Sequence, residues 1–430
     1  MSHKAKILSA RRWWYLMPII FTTYSFAYLD RANFGFAVVA GIENDLGISK
    51  NTASLMSALF FLAYFIFQVP SSLYAVRRSV RKLLFICLVL WGLCATATGM
   101  VNNIPALLVI RFTLGIVEAA AMPAMLIYIS TWFTQEERSR ANTFLILGNP
   151  ITVLWMSVLS GYLIQSYGWR EMFIIEGIPA LLWAAIWWWL VRDKPADVNW
   201  LSAKEKAELQ QVMDNEQASI KPIANYVQGL RCTNVILLSF AYTLWSIGVY
   251  GLMMWLPSII KSASSIDIVS VGWLSAPPYL AAVILMVIVS WLSDNLLNRK
   301  VFIWPILMIA SLAFIASCLL ADSHFWLSYG LLIIATACMY APYGPFFALI
   351  PELLPRNVSG IAIGLINSFG ALGAFLGAYF VGFLNGAMGS PNASYCFMAS
   401  ALLVAVICVY NVNTTKNTLK KPRYICNHDR

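Results

Sequence analysis

The sequence predicts an all-α membrane protein with twelve transmembrane helices arranged as two six-helix pseudo-repeats. The chain has 430 residues, of which 60% are hydrophobic and only 11% are charged, whereas about a quarter of an ordinary soluble chain is charged. Its apolar runs reach the length of about 20 residues that a membrane helix needs. The net charge of +10 comes from short clusters between these runs, so nucleic acid, which requires an exposed basic face, is not an expected partner.

Twelve apolar runs are the candidate spans. They cover residues 13–36, 53–76, 83–101, 105–131, 141–166, 172–191, 233–257, 269–293, 301–321, 325–352, 359–385 and 393–413. The first run is long and lacks a small-residue cleavage site, so we interpret it as a retained span rather than a signal peptide.

Lysine and arginine set the predicted orientation, because cytoplasmic loops retain these residues. With the N-terminus inside, 24 of the 29 basic residues fall on the inner side and three on the outer side. Both termini are therefore predicted to be cytoplasmic, which agrees with an even number of spans. The expected location is a bacterial inner (plasma) membrane, with the protein a multi-pass monomer in the lipid bilayer.

The chain divides at its one long polar stretch, residues 192–232. This linker separates an N-terminal half (1–191) from a C-terminal half (233–430) that ends in a basic cytoplasmic tail. A repeat supports the division. The first basic loop (Ser72–Lys82) follows span two, and the second basic loop (Ser290–Lys300) follows span eight, 218 residues later. Parallel repeats of this kind predict a substrate site where the halves meet and transport by alternating access.

Four charged side chains are predicted at membrane depth, where each costs about 2.5 to 3.5 kcal/mol. Asp30 and Arg31 lie in span one, and Arg111 and Glu118 lie in span four. Seven residues correspond to two helical turns, so Arg111 and Glu118 share one helix face. The four charges could serve only to hold helices together, but apolar packing would fill that role at lower cost.

The chemistry of these four residues points to an anion and a proton. All three histidines lie in loops or tails, so Asp30 and Glu118 are the predicted proton carriers. Burial favours the neutral form of a carboxylate and a nearby arginine favours its charged form. Arg31 and Arg111 are the predicted substrate ligands, because a guanidinium offers paired hydrogen bonds to a carboxylate and stays charged.

Neutral polar residues within the spans are further candidates for substrate binding. Their amide or hydroxyl groups could bond the hydroxyls of a sugar-derived acid, or equally another helix. They are Tyr64, Gln68, Asn149, Tyr340, Tyr343 and Asn367. The basic loops are predicted to gate the cytoplasmic side through Arg77, Arg81, Lys82, Asp294, Arg299 and Lys300. Gly373 and Gly377 have a spacing that allows close helix packing.

Several segments together resemble the major facilitator superfamily over essentially the whole chain, and within it the anion:cation symporter branch of bacterial sugar-acid and organic-acid permeases. These segments are Tyr28–Asn33, Gln68–Leu73, Arg111–Glu118 with Pro123 following, Gly168–Pro179 and Lys194–Leu201. The resemblance implies proton-coupled uptake of an organic anion, with Asp30 and Glu118 matching the protonatable carboxylates and Arg31 and Arg111 the substrate-side arginines.

The sequence departs from this family in two places. The first basic loop has Val76 where the family commonly carries an aspartate, whereas the second basic loop keeps Asp294. Gln68 stands where relatives often have glutamate. The cytoplasmic closure at the first basic loop is therefore expected to be built differently.

The leading hypothesis is proton-coupled uptake of a small carboxylate, with the proton as coupling ion and no bound cofactor. The alternatives are an organic-anion exchanger or a drug/proton efflux antiporter. Against efflux, the Gly148-Asn-Pro150 segment lacks the paired glycines of drug antiporters of this superfamily. An enzyme is not expected, because the chain has no phosphate-binding loop and no cluster of metal ligands.

Overall fold

The computed structural model describes residues 11–39, 42–47, 50–218, 229–263, 268–320, 323–388 and 392–414, and these residues are nearly all helical. The first half supplies α1 (Arg11–Val39), α2 (Ile42–Leu46), α3 (Lys50–Arg77), α4 (Val80–Met100), α5 (Ile104–Ala119), α6 (Ala121–Trp132), α7 (Gln135–Ile146), α8 (Gly148–Tyr167) and α9 (Trp169–Leu190). The linker contributes α10 (Ala203–Ala218). The second half supplies α11 (Thr233–Ala263), α12 (Ile268–Leu296), α13 (Trp304–Leu320), α14 (Phe325–Tyr340), α15 (Tyr343–Leu353), α16 (Arg356–Met388) and α17 (Asn392–Asn411).

Nine helical stretches within the described residues are long and apolar enough to cross a membrane. They are Val80–Met100, Ile104–Trp132, Trp169–Leu190, Thr233–Met253, Ala276–Leu296, Arg299–Leu320, Phe325–Leu353, Val358–Gly377 and Ala393–Asn411. Predicted spans one, two and five coincide with α1, α3 and the pair α7 and α8, whose side chains are described only in part.

The helices group into two compact units. Unit 1 comprises Met1–Thr134 and Phe144–Asn215, and unit 2 comprises Gln135–Thr143 and Glu216–Arg430. The first nine residues of α7 therefore pack with unit 2, although the sequence places residues 135–140 between spans four and five and residues 141–143 at the start of span five. The chain passes between the units a further time within α10.

Two predicted spans are interrupted where proline removes a backbone donor. Pro123 has no N–H for the carbonyl of Ala119, and α5 ends at that residue. At this break the Ala120 N–H donates to Val117 O, three residues earlier, at 3.4 Å. The next helix, α6, begins at Ala121. Span ten is divided in the same way into α14 and α15, with Pro342 between them.

Glycines let α16 approach α11 closely in unit 2. A Cβ added at Gly377 would lie 2.6 Å from the carbonyl oxygen of Ile247, and one added at Gly373 would overlap the carbonyl oxygen of Thr243. This close approach agrees with the small-residue spacing in the sequence. The Thr243 hydroxyl also donates to Phe369 O at 3.1 Å, so the helices are joined by a hydrogen bond as well.

Gly373→Ala is expected to destabilise unit 2 by about 1 to 3 kcal/mol, because the added methyl group forces the two backbones apart. Thermal unfolding of the purified protein would measure the effect. Gly330→Ala in α14 is the matched control, since no atom lies within 4 Å of its added Cβ, and alanine is favoured over glycine within a helix by about 0.5 to 1 kcal/mol. Equal melting temperatures for the two variants would contradict this prediction.

Candidate functional site

Arg111 and Glu118 are both buried on one face of α5 in unit 1. Arg111 is 6% exposed and Glu118 is 0% exposed. Gly115 lies between them on the same face, four residues after Arg111 and three before Glu118. A Cβ at Gly115 would lie 2.5 Å from Phe60 O, so this face of α5 packs directly on α3. Neither charged residue lies on the exposed surface of the protein.

Tyr64 and Gln68 lie on α3, the helix against which that face packs. Tyr64 is buried and its ring lies beside that of Phe60, with centroids 6.0 Å apart. Gln68 is 0% exposed, and both atoms of its side-chain amide have no hydrogen-bond partner among the described residues. Its main-chain carbonyl accepts from the Ser72 hydroxyl at 2.8 Å. A buried amide with both ends unsatisfied costs free energy unless a ligand or water completes it.

Helices α1 and α8 carry a second group of buried polar atoms. Gly148 brings α8 close to α1, since its added Cβ would lie 3.6 Å from the Ser25 hydroxyl. The Ser25 hydroxyl, the Asn149 amide oxygen and the Thr152 hydroxyl are buried and have no hydrogen-bond partner within the described ranges. The predicted residue Asn149 is thus one of three polar groups in this region of unit 1.

Asp30 and Arg31 lie within α1, but their side chains fall outside the described residues. Their roles as proton carrier and substrate ligand therefore stay predictions from the sequence.

Tyr340 and Tyr343 flank the break between α14 and α15 in unit 2, and both are buried. Trp245 on α11 stabilises the end of α14 at this break, because its indole N–H donates to Met339 O at 2.9 Å. The Trp245 and Tyr343 rings lie 4.4 Å apart between centroids, and Tyr242 lies beside Trp245 at 5.7 Å. The broken helix is thus lined by a cluster of aromatic rings.

Two polar groups with no hydrogen-bond partner in the described part of unit 2 lie on the helices around this cluster. They are the Ser246 hydroxyl on α11 and the amide nitrogen of the predicted residue Asn367 on α16, which is 4% exposed. Sequence reasoning missed Tyr242, Trp245 and Ser246. Their position in the middle of a span could have indicated them, since aromatic residues that anchor a helix at the membrane surface lie near its ends.

The second basic loop forms a network of buried charges within unit 2. Asp294 is 2% exposed and accepts from the main-chain N–H groups of Ser139 at 3.1 Å and Arg140 at 2.9 Å. Arg299 donates to Asp294 at 2.7 Å and to Glu352 at 2.9 Å, and also to the carbonyl of Gln135. The loop therefore holds the first turns of α7.

The remaining residues of the basic loops differ in exposure. Arg77 and Lys82 are exposed. Lys300 donates to Val412 O at 3.1 Å, and Arg81 lies over the ring of Trp188 at 4.0 Å. Within the described ranges, no group of three or more His, Cys, Asp or Glu residues is placed to hold a metal ion.

Long apolar helices that bury arginine, carboxylate and amide groups define a multi-pass integral membrane transporter. Residues 20–378 match the family model of the Major Facilitator Superfamily, and the chain belongs to that family. The predicted fold class is confirmed, and the protein is a transporter rather than an enzyme.

Individual relatives and a solved structure agree with this assignment. A protein of Agrobacterium vitis, provisionally named a tartrate transporter, is 30% identical over 91% of this chain and 88% of its own. The Quinolone resistance transporter of Acinetobacter baumannii is 29% identical, covering 92% and 93%. The structure of the proton:xylose symporter XylE superposes with a TM-score of 0.72 at 14% identity, over 95% of this chain and 96% of that one.

Proposed function

We propose that this transporter carries a small organic anion, a sugar acid or a related carboxylate, into the cell together with protons by alternating access. The observation that carries the proposal is the burial of Arg111 and Glu118 on one face of α5. A buried guanidinium can bind a carboxylate through two parallel hydrogen bonds. A buried carboxylate beside that site can take up a proton as the local charge changes.

The proposed coupling follows from the electrostatics of such a pair. A substrate anion that binds Arg111 brings a negative charge into the buried site. Uptake of a proton by Glu118 restores the charge balance of the loaded transporter. Anion and proton then cross together. Asp30 and Arg31 form the second acid and arginine pair of this proposal.

The polar groups of both units favour a hydroxylated substrate. Gln68 in unit 1 and Ser246 and Asn367 in unit 2 each bury a group with no hydrogen-bond partner among the described residues. Each such group left unsatisfied costs about 1 to 3 kcal/mol. A hydroxyl of a sugar acid could satisfy such a group within either unit, whereas an apolar ligand could not. The relative named for tartrate, a dihydroxy dicarboxylate, supports the same substrate class.

The second candidate function is drug/proton efflux, which the relationship to the Quinolone resistance transporter favours. Organic-anion exchange is the remaining alternative. In each case we expect a monomer in a bacterial inner membrane. Both termini are expected in the cytoplasm, as the distribution of lysine and arginine predicts.

Uptake into liposomes with the purified protein separates these functions. In the proposed symport, labelled sugar acids or tartrate accumulate when the outside is more acidic, and a protonophore abolishes the accumulation. An exchanger gives counterflow that does not respond to the pH gradient. An efflux antiporter accumulates a quinolone when the inside is more acidic. Either of the last two results would overturn the proposal.

Gln68→Met tests the assignment of this amide to the substrate. Because both amide atoms lack partners in the described residues, replacing the side chain with an apolar one of similar size is expected to maintain or raise the melting temperature. Affinity for the hydroxylated acid is expected to fall about tenfold. A lower melting temperature with unchanged affinity would instead identify Gln68 as a helix-packing residue.

A further inference from the structure

The two basic loops differ in where their acidic residue comes from. Val76 in the first basic loop corresponds to Asp294 in the second, at the repeat offset of 218 residues. The segments that follow the last helix of each half show the reverse pattern, with an acidic residue in the first half and a valine in the second. Asp193 follows α9, and Val412 follows α17 at nearly the same offset. In the first half the valine lies in the basic loop and the aspartate follows the last helix, whereas in the second half the aspartate lies in the loop and the valine follows the last helix.

Asp193 contacts the first basic loop directly. Its Oδ1 accepts from the main-chain N–H of Arg81 at 2.9 Å, and its Oδ2 accepts from the Ser79 hydroxyl at 2.6 Å. Ser79 is the N-cap of α4, and its hydroxyl oxygen also accepts from Lys82 N at 3.0 Å. Asp193 thus completes the cap of α4 with a negative charge, which the positive end of the helix dipole favours.

Arg81, one of three arginines in the first basic loop, is also held within unit 1. Arg81 donates to the carbonyl of Trp188 through Nε at 3.1 Å, and its guanidinium lies over the Trp188 ring. The Trp187 indole donates to Arg81 O at 3.0 Å. Ser79 and Arg81 therefore attach the loop to the end of α9 and to Asp193, which follows it.

The second basic loop uses its acid differently. Asp294 accepts from the first turns of α7, at Ser139 and Arg140. These residues lie in the short segment Gln135–Thr143, on either side of which the chain passes to unit 1. The segment after α17 offers its loop only a main-chain carbonyl, that of Val412, which accepts from Lys300.

We propose that Asp193 is the positioning residue of the first basic loop. It supplies the carboxylate that the loop lacks at Val76 and fixes the loop to α9 throughout the transport cycle. Asp294 and Arg299 of the second basic loop hold the segment Gln135–Thr143, whose two ends continue into unit 1, and we expect these contacts to be the ones that transport requires. The transport part of this inference rests on the proposed function, but the positioning role does not.

Hydrogen–deuterium exchange of the purified full-length protein tests the positioning role without any substrate. Asp193→Asn is expected to speed exchange at the amides of residues 79–84 by at least about tenfold, with residues 135–142 and 294–303 unchanged. Asp294→Asn is expected to speed exchange at residues 135–142 and leave residues 79–84 unchanged. Asp193→Glu keeps the carboxylate and is expected to restore slow exchange.

The linker offers a matched control for the loss of charge. Asp197→Asn removes the same charge four residues later from an exposed side chain, and exchange at residues 79–84 is expected to stay at the wild-type rate. If Asp193→Asn does not fold, Asp193→Ser removes the carboxylate that accepts from both Ser79 and Arg81 N while leaving the Ser79 cap in place, and is expected to give an increase at the same amides. Unchanged exchange at residues 79–84 in both variants, or equal increases at both basic loops, would overturn the proposal.

Uptake rates test the transport part. Per folded molecule, Asp193→Asn is expected to retain the wild-type rate within about twofold, whereas Asp294→Asn is expected to lower it at least tenfold. A tenfold loss in Asp193→Asn, with the exchange results as expected, would show that the first basic loop also moves during transport and would overturn this part. Failure to find any transported acid would reject the proposed function while leaving the exchange results intact.

Discussion

Glu118→Gln is expected to abolish accumulation driven by a pH gradient while substrate counterflow continues. The side chain is fully buried, and glutamine keeps its shape and hydrogen-bonding capacity but cannot bind a proton at physiological pH. With one proton per substrate, a gradient of one pH unit supports at most about tenfold accumulation. The variant is expected to equilibrate the acid without concentrating it, as measured by labelled substrate inside proteoliposomes.

Glu171→Gln is the matched control for this substitution. Glu171 lies in the first turn of α9, where its side chain is exposed, and its amide variant is expected to concentrate substrate as the wild type does. An accumulation ratio in Glu118→Gln equal to that of the wild type would reject the role of Glu118 in proton coupling.

Arg111→Lys is expected to weaken substrate binding at least tenfold, which corresponds to about 1.4 kcal/mol. Lysine keeps the positive charge that the buried site needs, but an ammonium group cannot form the two parallel hydrogen bonds of a guanidinium to a carboxylate. The loss should therefore appear in the dissociation constant for the acid, measured by titration calorimetry of the purified protein.

Arg170→Lys provides the corresponding control. Arg170 donates to Val101 O at 2.5 Å and lies over the ring of Trp169 at 4.3 Å, so it joins the ends of neighbouring helices in unit 1. Its replacement is expected to lower the melting temperature and leave the dissociation constant unchanged. Wild-type affinity in Arg111→Lys would show that Arg111 is a structural residue of the same kind.

The fold could be predicted from the sequence because membrane helices are specified locally. An apolar run of sufficient length satisfies its own backbone hydrogen bonds, and basic residues between runs fix the orientation. The breaks beside Pro123 and Pro342 follow from a missing N–H group, which is also a local property. The grouping of Gln135–Thr143 with unit 2 was not predicted, since it depends on contacts with distant residues such as Asp294.

The candidate site was predictable only where a residue is costly at membrane depth. Arg111 and Glu118 stand out because a charge within a span demands an explanation, and the structure buries both. The position of Trp245 in the middle of a span is its only signal in the sequence, because its hydrogen bond to Met339 joins positions 94 residues apart. Helix periodicity does not indicate which backbone carbonyl a broken helix leaves free.

The swapped positions of aspartate and valine in the two repeats affect how a sequence motif for this loop is interpreted. A signature written for consecutive residues scores Ser72–Lys82 as a degenerate copy, because it expects an aspartate at position 76. The carboxylate is instead supplied by Asp193, which lies 112 positions after Arg81 and accepts a hydrogen bond from its main-chain N–H. When variants of this protein are interpreted, Asp193 should therefore be weighted as a member of the loop signature rather than as a replaceable residue of a linker.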